Sequence, residues 1–223
     1  MKQRILAEGN DIHVILQVCS KLDLNRPIGF ADKKDFESNF AFKSKKGDPL
    51  GKQELLGSLP GLLLESELQA IAVILDADKS AISTWKSVCA ILLKSGYEDL
   101  PAMPNLDGTL IESTNPDLPK VGIWIMPDNS SAGEIEDFFL QLIDGEDFRL
   151  GHARKSVGAL IDQRPDLLNN SNRSKAEAHT WLAWQAEPGR SMGVALKSNW
   201  TDSKHLLAAR LANWFSSVFT LVP

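Results

Sequence analysis

Short apolar runs alternate with longer segments of helical periodicity along the chain. The runs predict strands over residues 4–7, 71–75, 109–111 and 121–125, because brief apolar stretches rich in β-branched residues are typical of strands. Between the first three strands and after the fourth, apolar residues three or four positions apart predict helices, since this spacing places them on one helix face. The third and fourth strands are predicted to be joined by the turn-rich segment 115–119. Strands that alternate with helices favour an α/β fold with a mainly parallel central sheet flanked by helices.

The first predicted helix follows the first strand directly. Asn10 is expected to cap this helix. The apolar face of the helix is predicted to consist of Ile12, Ile15, Leu16 and Cys19. Residues 25–51 are polar, with strand-like pieces only at 28–30 and 39–42. The lysine-rich segment 33–52 is either a nucleic-acid contact or a solvated loop, and its lysines are Lys33, Lys34, Lys43, Lys45, Lys46 and Lys52.

Capping signals place the remaining helices. One helix is predicted over residues 50–64, with a disruption at Pro60-Gly61. A second begins at Ser80 and has an apolar face of Ile82, Trp85, Val88, Cys89 and Leu92. Ser131 and Glu134 have the spacing of a capping box, which predicts a helix after them. The last third is predicted to be mainly helical, over residues 148–161, 174–185 and 205–219.

Composition narrows the classes of function. The net charge is −5, which argues against strong autonomous nucleic-acid binding, because phosphate contacts need a concentrated basic surface. Two cysteines in helix-like patterns and four scattered histidines without ligand spacing do not predict a disulfide or a zinc site. The N-terminus lacks a signal-peptide pattern, and no apolar run approaches the roughly 20 residues that span a bilayer. We therefore expect a cytoplasmic protein without membrane contact.

Acidic residues follow three of the predicted strands. Glu8 ends the first strand, Asp76 and Asp78 end the second, and Asp128 follows the strand over 121–125. Ligands of open α/β sheets sit beyond the carboxyl ends of parallel strands. Each acid alone could be a solvated loop charge, but together at one sheet edge they would repel unless a cation neutralised them. Carboxylates are the ligands that Mg²⁺ prefers, so the pattern predicts a metal site.

Two further residues are candidates for this site. Glu136 is predicted to lie one turn inside the helix after Asp128, and it is not needed to cap that helix. Its side chain therefore either points back to the strand ends or lies on the surface. Lys175 is predicted to open a helix capped by Ser174, with Glu177 completing a capping box. A cation at that end of a helix opposes the dipole. Lys175 is therefore either a phosphate or transition-state contact or an ordinary surface lysine.

The order of these motifs resembles the Toprim domain of primases, topoisomerases and OLD-family nucleases. The resemblance is carried by Glu8-Gly9-x-Asp11 after the first strand and by Asp76-x-Asp78 after a later one. Longer phrases resemble a small uncharacterised bacterial Toprim-like family: Gly122-Ile-Trp-Ile-Met-Pro-Asp-Asn129, Gly133-Glu-Ile-Glu-Asp-Phe138 and Lys175-Ala-Glu-Ala-His-Thr-Trp-Leu-Ala-Trp184. The resemblance implies a Toprim-like α/β domain over residues 1–145 and a helical C-terminal extension over residues 146–223 packed on it.

The resemblance also implies Mg²⁺-dependent or Mn²⁺-dependent cleavage of phosphodiesters in DNA or RNA. Glu8 would be the acid–base or metal-binding glutamate, Asp76 and Asp78 metal ligands, and Glu136 a further ligand. Lys175 would match the basic residue that OLD-type nucleases place near the scissile phosphate. Those nucleases act with ABC-class ATPases, which this chain lacks, so a separate ATPase partner in a phage-defence system is implied.

Other interpretations stay open. The same scaffold could be a non-catalytic binding or regulatory module of an ATPase complex. Asp76-Ala-Asp-Lys-Ser80 also resembles the nucleophile loop of haloacid-dehalogenase-type phosphatases, although that loop normally follows the first strand and Ser80 departs from the pattern. A topoisomerase or a primase is disfavoured, since strand-passage domains and a zinc ribbon are missing. Trp181, Trp184 and Trp214 are expected in the core or at the surface of a homo-oligomer.

Overall fold

The fold is known from a computed structural model, which describes residues 2–9, 12–21, 51–202 and 204–219. Within these ranges four strands form one sheet in the order β1-β2-β4-β3. The strands are β1 Lys2–Ala7, β2 Leu68–Asp76, β3 Thr109–Ile111 and β4 Lys120–Met126. β1, β2 and β4 are parallel, whereas β3 runs antiparallel to β4. The predicted α/β class with a mainly parallel sheet is therefore confirmed.

Helices connect and follow these strands. Their bounds are α1 Ile12–Lys21, α2 Lys52–Leu63, α3 Ala81–Lys94, α4 Ile135–Gln141, α5 Phe148–Gln163, α6 Arg173–Ala183, α7 Met192–Lys197 and α8 Leu206–Phe219. A 3-10 turn, Asn170–Asn172, precedes α6. In the described ranges, none of the helices has the length and apolar character needed to cross a membrane.

The sheet has a hydrophobic core on each face, which explains why β2 reads as a continuous apolar run. Ile71 and Val73 face a core shared with α2 and α3. Ala72 and Ile74 face the opposite core, to which α1, α4, α6, α7 and α8 contribute. Helices after residue 145 thus share a core with the sheet.

The C-terminal helix packs closely on β4. Trp214 of α8 and Trp124 of β4 have ring centroids 5.6 Å apart. Both rings are buried, as is Trp181 of α6, whereas Trp184 is 44% exposed. A Cβ added at Gly122 would overlap the side chain of Val218. The backbone of β4 therefore lies so close to α8 that only glycine fits at position 122.

Several local predictions are corrected. The helix around residue 60 is not disrupted, because α2 continues through Pro60 to Leu63. Proline removes one backbone donor, and the burial of Leu59 and Leu62 on the sheet stabilises the helix across it. Ile82 does not belong to the buried face of α3, since it is 36% exposed, although Ser80 caps α3 as predicted by accepting a hydrogen bond from the Ser83 N–H.

Two predicted helix starts are also wrong. The residue that caps α4 is Glu134 rather than Ser131, and its N–H donates to the carboxylate of Asp137 over 2.8 Å. α6 begins at Arg173, so Ser174 lies inside the helix, and its hydroxyl donates to Asp137.

The burial pattern of α1 differs slightly from the prediction. Its fully buried residues are Val14, Ile15 and Val18, with Ile12, Leu16 and Cys19 partly buried beside them. The Asn10 cap, Asp11 of the first acidic motif, the strand-like pieces at 28–30 and 39–42, and the lysines before residue 51 lie outside the described residues.

Candidate functional site

The carboxyl ends of β1 and β2 bring the first two acidic motifs together. The strands are paired in parallel, and the N–H of Glu8 continues the ladder by donating to the carbonyl of Ile74 over 3.1 Å. The Glu8 carboxylate then turns across the strand ends, and its Oε2 accepts a hydrogen bond from the N–H of Asp76 over 3.2 Å. Burial raises the pKa of Glu8, although the Asp76 N–H and the Lys52 ammonium oppose that shift.

Asp76 is the centre of the site. Its Oδ1 is buried and has no hydrogen-bond partner among the described residues. Burial raises the pKa of Asp76 to about 8, and the carboxylate of Glu8 adds to the shift, followed by Glu134, Glu136 and Asp78. A buried acceptor without a partner costs free energy in proportion to its desolvation. This oxygen therefore marks a place where a proton, a cation or a ligand would be stabilising.

Asp78 joins this strand tip to the start of α4. Its N–H donates to the carbonyl of Gly133 over 3.0 Å, and the Gly133 N–H donates back over 2.8 Å. Asp78 has a φ of +51°, a left-handed conformation that is unfavourable for most residues other than glycine. Gly133 has a φ of +138°, and a Cβ there would lie 2.6 Å from Oδ2 of Asp137. The bridge thus needs glycine at 133 and holds Glu134 beside the strand ends.

Two glutamates at the start of α4, Glu134 and Glu136, add carboxylates to the site, and Lys175 contacts both of them. Lys175 Nζ lies 3.2 Å from Oε2 of Glu134 and 3.8 Å from Oε1 of Glu136. Burial would lower the pKa of Lys175, but the carboxylates of Glu136 and Glu134 outweigh burial and raise it. Glu136 is buried rather than lying on the surface. We call Glu8, Asp76, Asp78, Glu134 and Glu136 the acidic cluster.

Lys52, the first residue of α2, also contacts the cluster. Its Nζ lies 2.7 Å from Oδ2 of Asp78 and 2.7 Å from the carbonyl oxygen of Asp76. The cluster therefore has one ammonium group against Asp78 and another against the glutamates of α4.

Asp128 is not part of the cluster. Its Oδ1 accepts hydrogen bonds from the N–H groups of Ser130 and Ser131, and both serine hydroxyls donate to the same carboxylate. Burial would raise the pKa of Asp128, but these hydrogen bonds lower it. The carboxylate stabilises the turn after β4, and it lines neither of the cavities beside the cluster.

Two cavities meet at the cluster. A groove of about 1170 Å³ runs from the acids to the walls formed by α1, α6 and α7, where His13, His179 and Lys197 line it. A second cavity of about 780 Å³ lies toward the start of α3. Asp78, Glu134 and Lys175 line both. An extended ligand could therefore pass across the acids with one part in each cavity.

The donor chemistry of the cluster suits a hard divalent cation, because its side chains are carboxylates that act electrostatically on Asp76, whose Oδ1 has no hydrogen-bond partner among the described residues. In the ranges that the structure describes, however, no group of three or more His, Cys, Asp or Glu side chains converges as a metal site. Ion pairs hold Asp78 and the two glutamates. Coordination by Asp76, Asp78, Glu8 or Glu136 stays a prediction.

Two residues of the site are not predicted by the sequence patterns. These patterns place Lys52 in the lysine-rich segment, although it is the first residue of a helix, where a cation opposes the dipole. They place Glu134 in a capping box with Ser131, whereas its carboxylate pairs with Lys175. The i, i+2 repeat of Glu134 and Glu136 at a helix start was the signal that could have identified this pair of carboxylates.

The chain matches the model of a protein family. A family model described as "Protein of unknown function (DUF3226)" matches residues 2–220, nearly the whole chain. No curated protein and no solved structure matches the chain.

Proposed function

The chain belongs to the DUF3226 family of unknown function, so we infer its activity from the acidic cluster and propose that it is a Toprim-like, metal-dependent endonuclease. The observation that carries this proposal is the buried Oδ1 of Asp76, which has no hydrogen-bond partner in the part of the chain that the structure describes and feels four other carboxylates at the carboxyl ends of parallel strands. Such an arrangement is costly without a cation, and it lies where α/β folds bind ligands.

Asp76 and Asp78, with Glu8, would hold Mg²⁺ or Mn²⁺, and Glu136 would be a further ligand. When bound, such an ion stabilises charge on a phosphate and lowers the pKa of a coordinated water. The raised pKa of Glu8 brings this carboxyl closer to neutral pH, which suits a group that accepts or donates a proton at the reacting oxygen. Lys175 lies at the junction of the two cavities, where its ammonium could contact a phosphate.

The substrate we propose is a strand of DNA or RNA that crosses the cluster. Two cavities that meet at the acids give room for the chain on both sides of the cleaved bond, which supports internal cleavage over removal of a terminal phosphate. The net charge of −5 disfavours unaided capture of a polyanion. We therefore also propose an ATPase partner that delivers the nucleic acid.

A nuclease assay tests this proposal. Labelled single- and double-stranded DNA and RNA are incubated with Mg²⁺ or Mn²⁺ and with the wild type, Asp76→Ala, Glu8→Ala or the exposed-acid control Glu112→Ala. We expect internal cleavage by the wild type and the control, and a loss of at least about 100-fold in both cluster variants, comparable to removal of one electrostatic catalytic group.

The alternatives give different results in the same experiment. Cleavage that survives both cluster substitutions would show that the activity belongs to another site or a contaminant. Hydrolysis of a small phosphomonoester without cleavage of any nucleic acid would favour the phosphatase interpretation. No activity on any substrate, with or without a co-expressed ATPase, would favour a non-catalytic module.

A further inference from the structure

The Lys52 side chain reaches into the acidic cluster as a fixed cation. Only 20% of this side chain is exposed. Its ammonium lies 2.7 Å from both a backbone carbonyl, that of Asp76, and a carboxylate oxygen, that of Asp78. A carbonyl and a carboxylate are the oxygen types that hard metal ions use as ligands. Lys52 thus occupies a position with the chemistry of a cation site.

We propose that the Lys52 ammonium permanently fills one of two cation positions in the cluster, so that the protein binds a single divalent ion, beside Asp76 Oδ1. The inference deepens the proposed function and rests on it for the role of that ion. It assigns the metal count of the site, and it makes Lys52 a positioning residue that holds Asp78 and the carbonyl of Asp76 in place.

The charges of the cluster support a single ion. When all five carboxyls are ionised, as metal ligands must be, they and the ammonium groups of Lys52 and Lys175 carry a formal surplus of three negative charges. One divalent ion leaves a surplus of one, whereas a second would make the cluster positive beside two ammonium groups. Without Lys52 the surplus is four, which two divalent ions would neutralise. Removing this one lysine should therefore create the second metal position.

The placement of Lys52 is fixed by the fold. It is the first residue of α2, and this helix is anchored by the buried Leu55 and Leu59. A lysine there faces the positive end of the helix dipole. The charge-assisted hydrogen bonds to the tip of β2 account for a cation at this unfavourable position.

The number of bound Mn²⁺ ions tests the proposed role of Lys52, and it can be measured whether or not the protein cleaves nucleic acid. Mn²⁺ is titrated by calorimetry and by paramagnetic resonance into the metal-free wild type, Lys52→Ala, Lys52→Arg and the control Lys79→Ala, an exposed lysine three residues after Asp76. We expect one Mn²⁺ for the wild type, Lys52→Arg and Lys79→Ala, and two for Lys52→Ala. If Lys52→Ala does not fold, Lys52→Gln, which keeps two of the four methylene groups and a hydrogen-bond donor, replaces it with the same expectation.

Two Mn²⁺ ions in the wild type, none in the wild type, or an unchanged count of one in the folded uncharged variant would each overturn the assignment. The outcome is separable from the proposed function. Counts of one and two without cleavage of any nucleic acid would support the role of Lys52 and contradict the nuclease proposal. Cleavage of nucleic acid by a wild type that binds two Mn²⁺ ions would support the nuclease proposal and contradict the role of Lys52.

Discussion

The carboxylate of Glu8 and the backbone N–H of Asp76 are joined by a hydrogen bond of 3.2 Å, although the residues lie 68 positions apart in the chain. This bond ties the ends of β1 and β2 together through a charged side chain. Glu8 therefore has two separable properties. It is a hydrogen-bond acceptor for the strand end, and it is a negative charge beside Asp76.

Substitutions at Glu8 separate these two properties. Glu8→Gln keeps an oxygen acceptor for the Asp76 N–H and removes a charge that repels Asp76, so we expect its free energy of unfolding in chelator to be at least the wild-type value. Glu8→Ala removes the same charge and also the acceptor, so its free energy of unfolding should lie about 1 kcal/mol below that of Glu8→Gln. Both variants lose a carboxylate and should bind Mn²⁺ more weakly. Urea denaturation and Mn²⁺ titration measure the two effects, and equal stability of both variants would show that the bond contributes nothing.

The pKa of Asp76 predicts that stability depends on pH when no metal is bound. Burial, aided by the charge of Glu8, raises the pKa of Asp76 from 3.8 to about 8. The folded state then binds this proton more tightly than the unfolded state, so the contribution is complete below pH 4 and is lost as pH rises toward 8. Asp76→Asn removes that loss because the amide is always neutral.

We therefore expect wild type and Asp76→Asn in chelator to have similar melting temperatures near pH 4, with the variant higher at pH 8. Each kcal/mol corresponds to a shift of about 2–4 °C at this chain length. Adding Mg²⁺ at pH 8 should raise the wild-type value and leave the variant nearly unchanged. Asp117→Asn, at an exposed loop position, is the control. A difference between wild type and Asp76→Asn that does not vary with pH would contradict the prediction.

Part of the site is predictable because it follows from topology alone. β1 and β2 are neighbouring parallel strands, so acids that follow them must meet, and Glu8 and Asp76 do. Asp128 also follows a parallel strand but lies outside the cluster, because serines two and three residues later offer N–H and hydroxyl donors that retain its carboxylate in the turn. An Asp followed by such serines is a local turn signal.

Lys52 could not be placed in the site from the sequence, because its partners lie 24 and 26 residues further along the chain. That contact depends on how α2 is oriented on the sheet, which no local pattern encodes. The pairing of Glu134 with Lys175 spans 41 residues and has the same origin. Local signals thus predicted the strands and most helices, whereas the counter-ions of the acids depend on tertiary packing.

The close approach of β4 and α8 predicts a paired effect on stability. Gly122→Ala places a Cβ that overlaps the side chain of Val218, and overpacking of a core usually costs about 1–3 kcal/mol. Val218→Ala alone leaves a small cavity and is also destabilising. The double variant should be more stable than the sum of the single effects implies, because the new methyl group enters the vacated space. Urea denaturation measures this, and strict additivity would contradict the contact.

Lys175 and Glu136 allow a test of the ion pair that holds the glutamates of α4. Lys175→Met leaves the Glu136 carboxylate, whose side chain is 8% exposed, without that ammonium, and uncompensated buried charge is destabilising. Because Lys175 itself is half exposed, we expect the free energy of unfolding to fall by only about 1 kcal/mol. Adding Glu136→Gln to the Lys175→Met variant should restore part of that free energy, which gives a coupling free energy of at least about 0.5 kcal/mol.

Urea denaturation of the wild type, the two single variants and the double variant measures this coupling, with the exposed Lys155→Met as the control. Zero coupling would show that Lys175 pairs in solution with Glu134 alone.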